Sequence, residues 1–314
     1  MIEVTGLTRT FGETRAIEDL SFSIGSHEIV GFLGLNGAGK TTTLKILAGL
    51  LHPTAGSVRI EGQDLFGAPL EARRKIGFLP ETAPLYGEMR VRDYLRFLGE
   101  LRGMGGQVLD KAVEEVAERT QCREALDVVI DTLSWGYRKR VGIAQAILHA
   151  PKLVILDEPI GGLDPVQIMG MREVIAGLRD TCTVLVSSHI LSEVSQTCDR
   201  LLILKKGRLV GHGRQEELAR MAEHATCLRL QVRGERARFE AVVQATGVVE
   251  GLRIESENNG ILTARVELTG DFREQLVAAL VREGLGLRRV DDAEAELEQV
   301  FSALTSSRPH SKVQ

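Results

Sequence analysis

The chain has 314 residues, 43% of them hydrophobic and 26% charged, with 39 Lys and Arg against 43 Asp and Glu, for a formal net charge of −4. That length suits one large domain plus a smaller one. Both signs of charge are interspersed, and one Trp and three Tyr offer few rings for stacking on bases, so no nucleic-acid partner is expected.

Met1-Ile2-Glu3-Val4 enters an alternating strand pattern at once, with none of the basic and apolar segments of a signal peptide. No apolar run approaches the roughly 20 residues that a spanning helix needs. Residues 2–8 and 20–24 read as short strands joined through Arg9-Thr10-Phe11-Gly12 and a turn. Phe11 then falls in a polar loop, where it either stacks on a nucleotide base or covers a strand edge. Glu28 to Leu33 is a buried strand feeding Gly34-Leu35-Asn36-Gly37-Ala38-Gly39-Lys40-Thr41-Thr42, which fits G-x-x-x-x-G-K-[ST]. The glycines turn consecutive backbone N–H groups inward around an anion, and a helix N-terminus adds partial positive charge. Lys40 can reach the outer phosphates of a nucleotide, and Thr41 offers its hydroxyl to Mg²⁺.

A helix follows over 42–51, then a strand at 57–60, a short helix at 71–75 and a buried strand at 76–79 that runs into Pro80-Glu81-Thr82-Ala83-Pro84. From Val91 to about Ala150 the pattern is helical, with Leu109, Val113, Val116 and Ala117 on one face. Strands return at 153–156, ending in Asp157-Glu158-Pro159, and at 182–187, ending in Ser188-His189, with two more at 201–204 and 208–211. Short apolar runs separated by helices imply a mostly parallel sheet covered on both faces, whose chemistry lies at the carboxyl ends of its strands. Gly34, Glu81, Asp157, Glu158 and His189 all fall at such ends.

Beyond residue 222 the pattern changes. Residues 226–233, 248–255 and 261–268 alternate, Asn258-Asn259-Gly260 is a tight turn, 236–245 and 271–283 are helical, and 285–290 can supply a fourth strand. This βαββαβ order suggests a ferredoxin-like module, serving as a regulatory or docking surface or as a packing appendage. A last helix would carry Leu297, Val300, Phe301 and Leu304 on one stripe. Cys122, Cys182, Cys198 and Cys227 show no metal or C-x-x-C spacing and read as reduced structural thiols.

The expected fold is therefore α/β: a phosphate-loop NTPase core over 1–220 with an inserted helical subdomain at about 88–150, a small C-terminal α+β (ferredoxin-like) domain over 221–305, and a disordered polar tail over 306–314.

Leu133-Ser134-Trp135-Gly136-Tyr137, followed by a helix from Arg138 to His149, resembles the L-S-G-G-Q signature of ABC transporter ATPases. The resemblance covers roughly residues 2–220. It implies that Phe11 takes the aromatic adenine position, that Glu81 lies at the Q-loop and that Gly162-Leu163-Asp164 is the D-loop. It also makes Glu158 the base for the attacking water, Asp157 a Mg²⁺ ligand with Thr41 and Glu81, and His189 the switch histidine. Two cassettes would sandwich two ATP molecules head to tail, so that Ser134 and Gly136 of one copy meet the nucleotide of the other, with Asp164 coupling the sites.

Four positions, in three places, depart from the family pattern: Glu81 for Gln at the Q-loop, Trp135 and Tyr137 for Gly and Gln in the signature, and Ile160 for Thr. With Phe78-Leu79-Pro80-Glu81 and Gly136-Tyr137-Arg138-Lys139-Arg140, the chain is similar to an exporter-type subfamily that includes gliding-motility and multidrug ATPases. Members commonly end in a small α/β domain closing with a leucine-rich helix, which Leu297-Glu298-Gln299-Val300-Phe301 resembles. The resemblance thus implies an ATP- and Mg²⁺-dependent homodimer, cytoplasmic and peripheral to the inner face of the cell membrane, serving a separate permease. Two rival readings are a soluble ABC ATPase of DNA repair or translation and a regulatory ATP switch. The first usually carries two cassettes or long coiled-coil insertions, and neither is visible.

Overall fold

A computed structural model describes residues 1–214, 217–218, 226–258 and 260–292. The described residues divide into two compact units, one up to Arg214 and the other beyond it.

The first unit holds two sheets. Strands β1 (Ile2–Phe11) and β2 (Thr14–Ile24) form a hairpin in which Phe11 pairs with Thr14. With β4 (Ala55–Ile60) and β5 (Gln63–Asp64) they make a four-stranded antiparallel sheet in the order β2-β1-β4-β5. Phe11 is therefore the last residue of a strand at a hairpin tip rather than part of a polar loop. Alternation carries through Arg9 because cross-strand pairing continues there despite the polar sequence.

The second sheet contains β3 (Ile29–Gly34), β6 (Ile76–Leu79), β7 (Leu153–Asp157), β8 (Thr183–Ser188), β9 (Arg200–Lys205) and β10 (Arg208–Gly213), in the order β10-β9-β3-β8-β7-β6. All neighbours run parallel except β10 and β9. Every residue of β3, β7 and β8 is buried, which is why these strands read as unbroken apolar runs. Helix α1 (Lys40–Leu47) follows β3 and buries Leu44, Ile46 and Leu47 in the same apolar cluster as Leu7 and Leu20 of one sheet and Phe32 and Ile155 of the other. It stops before the expected Leu51 because Gly49 adopts φ 70° just past the Ala48 cap, a left-handed turn that favours glycine.

Three helices stand between β6 and β7: α3 (Val91–Leu101), α4 (Gly106–Arg119) and α5 (Trp135–Ile147), after the short α2 (Pro69–Arg74). Helix α5 begins at Trp135, three residues earlier than expected, because the Ser134 hydroxyl accepts the Tyr137 N–H as an N-cap. A Cβ at Gly142 would lie 2.7 Å from the Leu79 side chain, so α5 rests directly on β6. Between β7 and β9 come α6 (Pro165–Leu178), just before β8, and the four-residue α7 (Leu191–Val194), just after it.

The second unit has the order β11 (Thr226–Arg233), α8 (Arg236–Ala245), β12 (Val249–Asn258), β13 (Ile261–Leu268), α9 (Arg273–Arg282) and β14 (Gly286–Asp292). Its sheet runs β12-β13-β11-β14, antiparallel throughout. This is the ferredoxin-like arrangement expected from the sequence. Leu228, Leu230 and Val232 of β11 pack with Phe239 and Val243 of α8 and Leu276 and Leu280 of α9. The expected helix around Leu297 to Leu304 and the polar tail lie outside the described residues.

Candidate functional site

Strand register decides which side chains meet. Leu33 of β3 pairs with Ser188 of β8, Ser187 with Asp157 of β7, and Leu156 with Leu79 of β6. The segments that leave these strands, starting at Gly34, His189, Glu158 and Pro80, therefore emerge side by side at one edge of the sheet, where parallel sheets place their sites. From β3 the chain turns through the glycine-rich loop into α1. Gly39 has φ 104°, and a Cβ there would lie 2.5 Å from the Ala16 carbonyl, so only glycine fits. The Lys40 ammonium folds back over the loop and donates to the Gly34 carbonyl at 2.7 Å.

Next to the loop lie two buried acids. Asp157, 1% exposed, accepts the Ser187 hydroxyl at 2.6 Å, and that hydroxyl accepts the Glu158 N–H at 2.9 Å. Glu158 adopts φ 50°, a left-handed conformation that costs a side chain about 1–2 kcal/mol. Its carboxylate sits between the Lys40 ammonium at 3.5 Å and His189 Nδ1 at 3.1 Å. Because an ionised carboxylate only accepts, Nδ1 is the donor there, leaving Nε2 of a neutral ring as an acceptor.

A cavity of about 900 Å³ opens over these groups, a size that suits a nucleotide-sized ligand. Leu35, Asn36, Gly37, Gly39, Lys40, Thr41 and Thr42 form its floor, and Glu81, Glu158 and His189 form its far wall. Phe11 stands at the rim, 46% exposed, with the Arg9 guanidinium 4.6 Å above its ring. Gly34, Ala38 and Asp157 lie just behind the lining, all buried. Ser134, Gly136 and Asp164 do not face this cavity: Ser134 caps α5, and Asp164 caps α6 by accepting the N–H groups of Val166 and Gln167. Among the described residues, no group of three or more His, Cys, Asp or Glu side chains is placed to hold a metal ion.

Two contributors were missed from the sequence. Ser187 reads as one more strand residue, and only its pairing with Asp157 reveals its place. Lys139 is 3% exposed and lines the cavity with Trp135. Its ammonium donates to the carbonyls of Glu81 at 2.7 Å and Glu158 at 3.0 Å and lies 5.4 Å from the Trp135 ring centre. Burial pulls its pKa below the usual lysine value, against the opposing pull of Glu81, Asp157 and Glu158. The signal was available: Lys139 shares a helical stripe with buried Ile143 and Ala146.

A cationic glycine-rich loop facing buried carboxylates and a histidine suits binding of a polyphosphate and attack by water on its terminal group. The ABC transporter family model matches residues 17–161. The uncharacterized ABC transporter ATP-binding protein YxlF of Bacillus subtilis is 31% identical over 301 residues, spanning 96% of this chain and 98% of that protein. The lipopolysaccharide export system ATP-binding protein LptB of Escherichia coli is 35% identical over 216 residues, 68% of this chain and 90% of LptB. The dimeric structure of MJ0796, a bacterial ABC transporter cassette, matches with TM-score 0.62 at 25% identity, over 68% of this chain and 98% of that one. Among the described residues no helix is long and apolar enough to cross a membrane. The chain belongs to the ABC transporter family, as an ATP-binding and ATP-hydrolysing subunit.

Proposed function

We propose that this chain powers export through a separate membrane-spanning permease, working as a homodimer at the inner face of the membrane. The observation that carries the ATP-driven part of this reading is the convergence of Lys40, Glu158 and His189 on one cavity beside the glycine-rich loop. The loop residues Gly34 to Thr42 hold the ATP phosphates, and Phe11 at the rim stacks on the base. Export is supported by the exporter-type sequence features and by the likeness to LptB, whose name states an export system.

Lys40 is shared between the Gly34 carbonyl and the Glu158 carboxylate. An incoming γ-phosphate competes for Lys40, and that releases Glu158 to take a proton from water. His189 Nδ1 keeps the carboxylate oriented while Nε2 faces the water and the γ-phosphate. The oxygen donors Thr41, Asp157 and Glu81 are of the type that Mg²⁺ accepts, and they would hold it with phosphate oxygens. When bound, Mg²⁺ neutralises charge on the phosphates.

Ser134 and Gly136, at the N-terminus of α5 and outside the cavity of their own copy, serve the ATP of the second copy, and Asp164 couples the two sites. The dimer of MJ0796 supports this pairing. The loop near Tyr86 to Val91 meets the permease. Residues 1–220 form the nucleotide-binding domain and 221–305 an accessory domain.

Tagged Glu158→Gln protein, purified from its native cells in mild detergent with ATP, tests the partner. A stoichiometric polytopic membrane protein is the expected companion, and recovery of a soluble homodimer alone would overturn the permease reading. Vesicles reconstituted with that complex then report direction: cargo should leave the compartment whose face carries the ATPase, and uptake towards that face would refute export.

A further inference from the structure

The Lys139 ammonium is buried, yet it touches two backbone carbonyls, and among the described residues it forms no ion pair with a carboxylate. Those carbonyls belong to Glu81, in the loop after β6, and to Glu158, in the turn after β7. A lysine inside a helix normally lies on the solvated face, because stripping water from an ammonium is costly. Here α5 instead carries it inward, in one stripe with Ile143 and Ala146. Trp135, one turn earlier, roofs the ammonium with its ring and donates from Nε1 to the Gly161 carbonyl at 3.4 Å.

The Glu158 contact is the informative one. Glu158 is one of the few non-glycine residues with positive φ, and such a backbone persists only where its surroundings hold it. Its N–H is held by Ser187, and its carbonyl accepts the Lys139 ammonium at 3.0 Å and, more weakly, the Gly161 N–H at 3.3 Å. With both peptide groups fixed, the side chain must leave the turn towards Lys40 and His189. The second hydrogen bond of the same ammonium fixes the Glu81 carbonyl, so the position of the Glu81 loop is tied to the Glu158 turn through one atom.

We propose that Lys139 is a positioning residue for ATP hydrolysis, which clamps the Glu158 turn in its left-handed conformation and registers the Glu81 loop against it. The proposal rests on the reading of Glu158 as the general base. Lys139 acts through that backbone and does not touch the reacting atoms, so its loss should lower turnover while leaving nucleotide affinity in place. Misplacement of a catalytic group by about 1 Å can cost on the order of 100-fold in rate.

The test uses the full chain with Mg²⁺ and ATP. Lys139→Met keeps most of the side-chain length and volume and removes both donors. We expect its kcat to fall about 10- to 100-fold while KM for ATP stays within about threefold. In a Glu158→Gln background, adding Lys139→Met should leave the residual turnover within about twofold, because the group being positioned is already gone. Lys139→Arg, which retains donors for both carbonyls, should recover most of the turnover that Lys139→Met loses.

Wild-type kcat in folded Lys139→Met would overturn the proposal. So would an equal further loss in the Glu158→Gln background, which marks an independent structural role. If Lys139→Met does not fold, Lys139→Arg turnover as low as that of Glu158→Gln overturns it instead. The single Glu158→Gln variant separates the two claims: if that variant keeps its turnover, the reading of Glu158 fails, whereas its inactivity beside a normal Lys139→Met removes only the role of Lys139.

Discussion

Residues 1–214 and 226–292 are both built from strands backed by helices, and they differ in what they bury. In the first unit Lys40, Lys139, Asp157, Glu158, Ser187, Ser188 and Glu193 are inside, most of them at the carboxyl edge of one sheet. In the second, Thr263 is the one buried polar side chain among the described residues, and the interior is Leu, Val, Ala and Phe. Burying charge is expensive unless it is paired and hydrogen-bonded. A chain that does so repeatedly at one place, while its other unit closes a core without any, marks the place where charge has a task. The second unit shows strands backed by helices whose described core is closed by apolar packing alone.

The largest effect should come from the apolar unit. Phe239 is fully buried at its centre, and Phe239→Ala should cost about 3–5 kcal/mol. Calorimetry should show a transition moved to lower temperature while ATP turnover is unchanged. A parallel loss of turnover would break the contrast between a unit that packs and a unit that reacts.

A smaller effect follows acidification. Burial and the charge of Arg102 push the His149 pKa down from 6.5 to about 4, and its Nδ1 is buried without a hydrogen-bond partner. Between these values the unfolded chain binds more protons than the folded one. The contribution of His149 is therefore complete above pH 6.5 and is lost as pH falls towards 4, by at most about 3 kcal/mol. Urea titrations across this window should show a shallower acid limb for His149→Gln. An identical limb in both proteins would remove His149 as its cause.

Ser187→Ala should cost about 1–3 kcal/mol in stability, because it strips one partner from the Asp157 carboxylate and one from the Glu158 N–H. It should also raise the Mg²⁺ concentration for half-maximal turnover about 10-fold or more. Unchanged Mg²⁺ dependence would mean that the bond only supports the fold. Phe11→Ala, at an exposed rim position, should weaken ATP binding by about 1 kcal/mol without touching kcat. Unaltered affinity would assign Phe11 to the hairpin tip alone.

Much of this was legible in the sequence where one physical rule dominates. The loop from Gly34 to Thr42 is readable because cradling an anion needs glycine, lysine and threonine at fixed offsets. The second unit is readable because its strands alternate and its helices repeat. Less visible were features created by tertiary contact. Phe11 looked like loop because Arg9 and Thr10 are polar, yet the hairpin pairs them. Helix α5 started early because the cap at Ser134 lies inside a motif that reads as a loop. Lys139 and Ser187 acquire their meaning only from strand register and the stacking of α5 on β6, and neither is a property of local sequence.

Turnover of purified Glu158→Gln protein with Mg²⁺ and ATP tests the central claim most directly, that the buried charges of the first unit perform hydrolysis. The account predicts retained ATP binding, ATP-stabilised dimers and kcat reduced by on the order of 10²–10⁴-fold. Hydrolysis at the wild-type rate would contradict it.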